Sequence, residues 1–214
     1  MRSIDDTIST EAARRFYDWL GAGHDSAEFY ESRAKRYGIA RLELAPDQHV
    51  LNVGIGTGKD QASIQNTIAP NGNAFGLDLS RVMLRLVHTR STALLCEGDA
   101  RYLPFASASF DRLLATYILD LLPLRNLPGL LANFRRVLKP SGRIALVSLT
   151  EGVTWPSRAL VALWKVAYAV SPVACGGCRP LQLYDLACEA GFSDIQREVI
   201  VQLGVPSEVI TANC

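Results

Sequence analysis

Beyond residue 45 the chain alternates between short apolar runs and stretches with helical periodicity. The runs are "HVLNVG", "NAFGLDL", "TALLCEGD", "RLLATYI" and "RIALVSL". Between them lie "DQASIQNTIA", "SRVMLRLVHTR" and "NLPGLLANFRRVL", each long enough for a two- or three-turn helix. Continuous apolar strands separated by helices predict a parallel sheet covered on both faces. After the turn "KPSGR" and the fifth run come an apolar helical stretch, "WPSRALVALWKVAYAV", a "CGGCRP" turn and another helix. Two more strands are expected at "SDIQREV" and "SEVITA". The first 45 residues read as helical: Ser9 and Thr10 are N-cap candidates, "GAGHD" breaks the helix, and Asp25 can cap a second one. The expectation is an α/β fold: seven strands in a mostly parallel sheet, helices on both faces, and an N-terminal helical cap. Residues 1–45 form the cap and 46–214 the main domain, as one compact unit.

The first run ends in "VLNVGIGTGKD". Glycines there let a backbone approach a ligand closely. The dinucleotide pattern G-x-G-x-x-G fails because Lys59 stands three places after Gly56. The phosphate loop G-x-x-x-x-G-K-[ST] fails because Gly54 and Gly58 enclose three residues and Asp60 replaces the magnesium-binding hydroxyl. What remains is a Gly-x-Gly-x-Gly turn, suited to a nucleoside or amino-acid ligand, or a turn that merely packs tightly.

Composition narrows the classes. Lys plus Arg number 22 against 21 Asp plus Glu, so no global field attracts nucleic acid. The N-terminus lacks a signal-peptide core and no apolar stretch is long enough to span a bilayer, which predicts a cytoplasmic protein. Five cysteines point to reduced thiols, and Cys175-Gly-Gly-Cys178 has no second ligand pair, so a tight turn is expected there and no metal.

Two carboxylates complete the pattern. Asp78 ends the second run, 20 residues beyond Gly58, where a carboxylate can accept from ribose hydroxyls or cap the next helix, a task Ser80 could also perform. Asp99 ends the third, placed to accept from an exocyclic amine while the Ala100 N–H donates to a ring nitrogen. Together with "FRRVLKPSGRIALVSL" and "EGDARYLPFASASFDRLLATYILDLLP", these segments resemble the class I S-adenosylmethionine-dependent methyltransferases over residues 14–212. The segments "FYDWLGAGHDSAEFYESRAKRYG" and "LPFASASFD" look closest to the ubiquinone/menaquinone-biosynthesis C-methyltransferase-like branch, which also holds bacterial phospholipid N-methyltransferases. The resemblance implies a Rossmann-like sheet with S-adenosyl-L-methionine as cofactor. Gly54, Gly56 and Gly58 would line its methionine portion, Asp78 with Leu79 its ribose, and Asp99 with Ala100 its adenine. Thr116 would face the ligand, and Tyr17 with Asp18 would close over it. The first motif usually carries Asp or Glu where this chain has Asn52, which keeps an acceptor but loses the charge.

For an acceptor, the resemblance implies a small lipophilic molecule, a quinone-like aromatic or a phospholipid amine. His24 is the base candidate, with a capping or solvent-facing role as its plain alternative. Trp164 lies on a stretch that could pack on the core, wall an apolar tunnel or rest at a membrane surface as a peripheral contact. Arg179 could meet an anionic group or pack in its turn. A non-methylating catalyst such as a cyclase, or a cofactor-binding regulatory protein, could use the same fold.

Overall fold

The computed structural model describes residues 7–214. The first six positions of the expected cap, and of the N-terminus read above, lie outside the described residues. The sheet has seven strands: β1 (His49–Val53), β2 (Asn73–Asp78), β3 (Leu94–Glu97), β4 (Phe110–Thr116), β5 (Leu138–Leu149), β6 (Ser193–Gln202) and β7 (Val205–Asn213). Their order is β3-β2-β1-β4-β5-β7-β6. All neighbours are parallel except β7, which runs antiparallel to both β5 and β6. The chain leaves β1 toward β2 on one side and returns to β4 on the other. That reversal opens a crevice above the carboxyl ends of β1 and β4.

Alternation along the strands divides the core. Leu51, Leu113 and Ile144 face one layer with Leu130 and Phe134 of α5 (Leu127–Val137). Val50, Leu114 and Ala145 face the other with Leu42 and with Ile64 and Ile68 of α3 (Gln61–Ile68). Burial of each such side chain contributes about 1.5–3 kcal/mol, and Phe134→Ala would forfeit roughly 3–5 kcal/mol. The "KPSGR" turn expected before the fifth strand lies within β5, at a register shift in its pairing with β4.

The cap is α1 (Thr10–Leu20), a 3-10 segment (Gly21–Ala27) and α2 (Glu28–Arg41). Ser9 is the N-cap of α1, accepting from the Ala12 N–H, and Gly21 at φ 48° ends it. Asp25 lies inside the 3-10 segment and caps no α-helix, because its carboxylate is engaged by Thr57 and Arg90. Helix α4 (Arg81–His88) follows β2, with Ser80 as its N-cap.

Helix α6 (Trp155–Val170) begins in a reciprocal capping box between Thr154 and Ser157. It buries only Ser157, Val161 and Tyr168, so it is no core helix; Leu163, Val166 and Val170 are 67%, 62% and 83% exposed. Among the described residues no helix is long and apolar enough to cross a membrane. Helix α7 (Leu183–Glu189) completes the layer beside α5.

Candidate functional site

The crevice above β1 and β4 holds a cavity of about 450 Å³. Gly54, Gly56 and Gly58 cross its floor at φ 68°, 56° and 71°, a left-handed backbone that favours glycine. Their side-chain spaces differ. A Cβ on Gly54 would lie 2.8 Å from Ile118, and one on Gly58 2.8 Å from Val87, so these two allow packing. A Cβ on Gly56 would meet only the His24 Cε1, at 3.9 Å, so that glycine leaves room for a ligand. Arg90 ties the loop to the cap: it donates to the Thr57 carbonyl at 3.0 Å and to Asp25 at 2.9 Å.

Asp78 stands at the tip of β2 on the cavity wall, with Leu79 beside it. Its Oδ2 accepts from the Gly56 N–H at 2.9 Å and its Oδ1 from the Ser80 N–H at 2.9 Å. Because Ser80 Oγ caps α4, Asp78 is released from that task. Burial raises its carboxyl to about 6, with the nearby Asp18 pushing the same way. Asp18 accepts a hydrogen bond from Ser80 Oγ, which fastens α1 to this edge.

Asp99 and Ala100 also line the cavity, but β3 ends at Glu97, so Asp99 lies in the loop beyond it. Its carboxylate is gripped by Arg101, whose Nε lies 3.0 and 3.1 Å from the two oxygens and whose Nη2 also donates to Thr10. Burial pushes Asp99 up, yet the Arg101 hydrogen bonds prevail and hold it below the usual range. Sequence reasoning missed Arg101; its position two residues after the acid was the available signal. Thr116 lines the same cavity from the end of β4.

Asn52 tests whether an aminoacyl nucleoside fits. It is 5% exposed, lines the cavity, and donates from Nδ2 to Gln61 Oε1 at 3.0 Å. Its Oδ1 and the Gln61 Nε2 are buried with no hydrogen-bond partner. An orphaned acceptor beside an open glycine fits a ligand donor such as an ammonium, while Asp78 and the loop N–H groups fit a ribose. The residues present therefore fit S-adenosylmethionine.

A second cavity of about 310 Å³ adjoins the first. Tyr17, His24, Glu31 and Tyr117 line both. Trp164 lines only the second, its Nε1 donating to the Cys178 carbonyl at 2.9 Å. His24 stacks obliquely near Tyr17, ring centres 5.8 Å apart, while its neighbour Asp25 is turned to Arg90. The glycine turn closes this end: a Cβ on Gly176 would lie 2.9 Å from the Phe16 ring, and one on Gly177 2.9 Å from Ile8. Cys175 and Cys178 are free thiols, both raised by burial. Of the two readings left open for Arg179, the geometry is that of packing in its turn. It is 1% exposed, lines neither cavity, and donates to the carbonyls of Asp120 and Leu122 at 3.2 and 2.7 Å. Asp120, which sequence reasoning passed over, lines the second cavity; a lone acid inside "YILDLLP" was its signal.

Residues 50–142 match the family model described as a methyltransferase domain. An O-methyltransferase of Pyrenophora dematioidea is 31% identical over 161 residues, 72% of this chain and 57% of that protein. A ubiquinone/menaquinone biosynthesis C-methyltransferase of Burkholderia cenocepacia is 30% identical over 124 residues, 55% and 49% of the two chains. The chain thus spans about half the length of these relatives. Among solved structures, the putative methyltransferase from a Haloferax volcanii complex with the Trm112 activator superposes with a TM-score of 0.74 at 15% identity. That match covers 94% of this chain and 96% of that one, and shows a shared fold. Domain match, relatives and sheet order agree: residues 50–142 are a methyltransferase domain, set in a sheet like that of the class I S-adenosylmethionine-dependent enzymes.

Proposed function

We propose that the protein transfers a methyl group from S-adenosylmethionine to a small acceptor with an apolar body. The observation that carries this reading is the pair of cavities sharing a wall, one glycine-floored and the more polar of the two, the other mainly apolar. In the first, Gly56 and Asn52 would hold the methionine end, Asp78 the ribose, and Asp99 with Ala100 the adenine. The cofactor supplies an already activated methyl group, so the chain's own work is alignment and exclusion of water. Tyr17 and His24, on the shared wall, would border the acceptor atom.

In the second cavity Trp164, Val161 and Leu160 would receive the acceptor body, at about 25 cal/mol per Å² of apolar surface removed from water. No Lys or Arg is among the residues lining that cavity. A phospholipid amine would bring its phosphate into this wall without a cation, so an aromatic or quinone-like acceptor is favoured. The names of the two relatives above, an O-methyltransferase and a quinone C-methyltransferase, agree with that choice. The exposed apolar face of α6 would let such a molecule be taken from a membrane surface.

Titration calorimetry with S-adenosylhomocysteine, followed by methyl-transfer assays on phenols, hydroquinones and amino alcohols, tests this function. Saturable binding and methylated phenol or hydroquinone products are expected. Equal affinity for NAD, or methylation of the amino alcohols alone, would overturn it.

A further inference from the structure

Asp120 is fully buried, at 0% exposure, in the wall of the second cavity. Its Oδ2 accepts from the Leu149 N–H at 3.3 Å, and its backbone carbonyl accepts from Arg179. Its Oδ1 is buried and has no hydrogen-bond partner. A buried carboxyl oxygen is costly to leave unpaired, and native structures rarely do so without a reason. No described side chain makes that bond, although Tyr17, Tyr30, Tyr117 and Cys178 line the same cavity beside the apolar Leu149, Val161, Val205 and Pro206.

Charge narrows what can complete it. Glu31, the other carboxyl of the cavity, already pairs with Lys35 at 2.8 Å. The Arg179 guanidinium is turned to backbone carbonyls. Two carboxyl oxygens of this cavity make no hydrogen bond, Glu31 Oε2 and Asp120 Oδ1. Only the first is ion-paired, with Lys35, and no Lys or Arg lines the mainly apolar chamber, which shares a wall with the glycine-floored cavity. An anionic headgroup finds no counter-charge there. A neutral molecule with one hydroxyl donor completes the set.

Resting on the methyl-transfer reading, we propose that Asp120 is the acceptor-binding group of this enzyme, its Oδ1 accepting a hydrogen bond from a phenolic or enolic hydroxyl and taking that proton during transfer. As the acceptor oxygen bonds to the methyl carbon, the electron pair of the broken carbon–sulfur bond stays on sulfur. The hydroxyl proton passes to Oδ1 and returns to water after the methyl ether leaves. Burial raises Asp120 to about 7, offset in part by the Leu149 N–H, with Glu31 raising it further and Arg179 opposing. Near neutral pH a carboxyl so tuned is available as a base and strong enough to accept the proton. The titratable and charged groups acting on it are Tyr17 from α1, Tyr30 and Glu31 from α2, Tyr117 beyond β4, and Cys178 and Arg179 from the turn before α7, with His24 of the 3-10 segment lining the same cavity. Tyr17, Tyr30 and Tyr117 are all raised above the ordinary tyrosine value, chiefly by burial, so they stay neutral across this range.

The test uses the whole chain saturated with S-adenosylhomocysteine and two probes, 2-naphthol and its methyl ether, by calorimetry. At pH 8 the naphthol should bind about tenfold or more tightly than the ether, the scale of a charge-assisted hydrogen bond. That preference should fade as pH drops through about 7, where Oδ1 becomes protonated. In Asp120→Asn it should shrink several-fold and lose its pH dependence, while the surface variant Leu163→Ser, which touches neither cavity, keeps both. Should the Asn variant fold poorly, the wild-type pH titration decides alone. A preference unchanged by Asp120→Asn, or flat with pH in the wild type, would overturn the assignment, as would tighter binding of the cationic 2-naphthylmethylamine than of naphthol. Val161→Trp fills the chamber and should weaken both probes. If it weakens neither, the acceptor cavity itself is wrong, whatever Asp120 does.

Discussion

The two cavities share a wall and are built in opposite ways. In the first, the two acids at the strand ends already have partners within the chain, Asp78 holding Gly56 and Ser80 and Asp99 holding Arg101, and Asn52 Oδ1 is the acceptor left open. Its floor is backbone, fixed by three left-handed glycines. In the second, the walls are side chains from α1, α2, α6 and two loops, and Asp120 keeps one oxygen unpaired. The difference is what a constant ligand and a variable one require. A rigid, pre-paired pocket suits a cofactor bound the same way in every turnover. A chamber of separately anchored segments can be reshaped without disturbing it.

The sharpest way to break this contrast is at the floor. Gly58→Val would place a branched side chain at φ 71° and 2.8 Å from Val87. Strain and overpacking together should cost roughly 2–6 kcal/mol of stability, read by urea denaturation, with S-adenosylhomocysteine binding lost. A stable variant with normal affinity would show that the loop does not pack on α4 as described.

Next come two variants meant to separate the cavities. Asp78→Ala should weaken S-adenosylhomocysteine by about 1–3 kcal/mol, the loss of charge-assisted bonds to a ribose. Trp164→Ala should raise the acceptor KM about tenfold through lost apolar contact, with the cofactor Kd nearly unchanged. If Trp164→Ala lowers Tm and cofactor affinity together, the tryptophan belongs to the core and the two sites are one unit.

A smaller effect is expected at Asn52. An aspartate there would gain attraction to an ammonium, and the unpartnered Gln61 Nε2 could turn to donate to it. Asn52→Asp should tighten the cofactor by about 1 kcal/mol or less. Because the position is 5% exposed, that gain should persist at high salt. Weakened binding would mean the pocket is built around the amide. The smallest change is on the surface: Leu163→Ser should shift stability by only about 0.5 kcal/mol. Reduced co-sedimentation with lipid vesicles would accompany it if α6 meets a membrane.

The same contrast decides what the sequence could reveal. The strands from β1 to β5 follow from continuous apolar runs, and the glycine turn and Asp78 are close in sequence because one strand-turn-helix unit builds them. The antiparallel insertion of β7 between β5 and β6 is set by tertiary pairing and leaves no local mark. The helix period of α6 was legible, but its bare outer face was only one of three open readings, since apolar composition normally signals burial. Asp25 looked like a helix cap because its partner Arg90 lies 65 residues away. Asp120 was hidden for the same reason: its meaning depends on the Leu149 N–H and on α2 and α6 folding over it. Arg179 was open to two readings, and the carbonyls that decide it are brought near only by the fold.

The most direct measurement is a crystal structure of the chain grown with S-adenosylhomocysteine and soaked with 2-naphthol. The account predicts the thioether over Gly56 with its ribose at Asp78, and the naphthol beside Trp164 with its hydroxyl on Asp120 Oδ1. Naphthol found only on the surface, or S-adenosylhomocysteine lying in the apolar chamber, would contradict it.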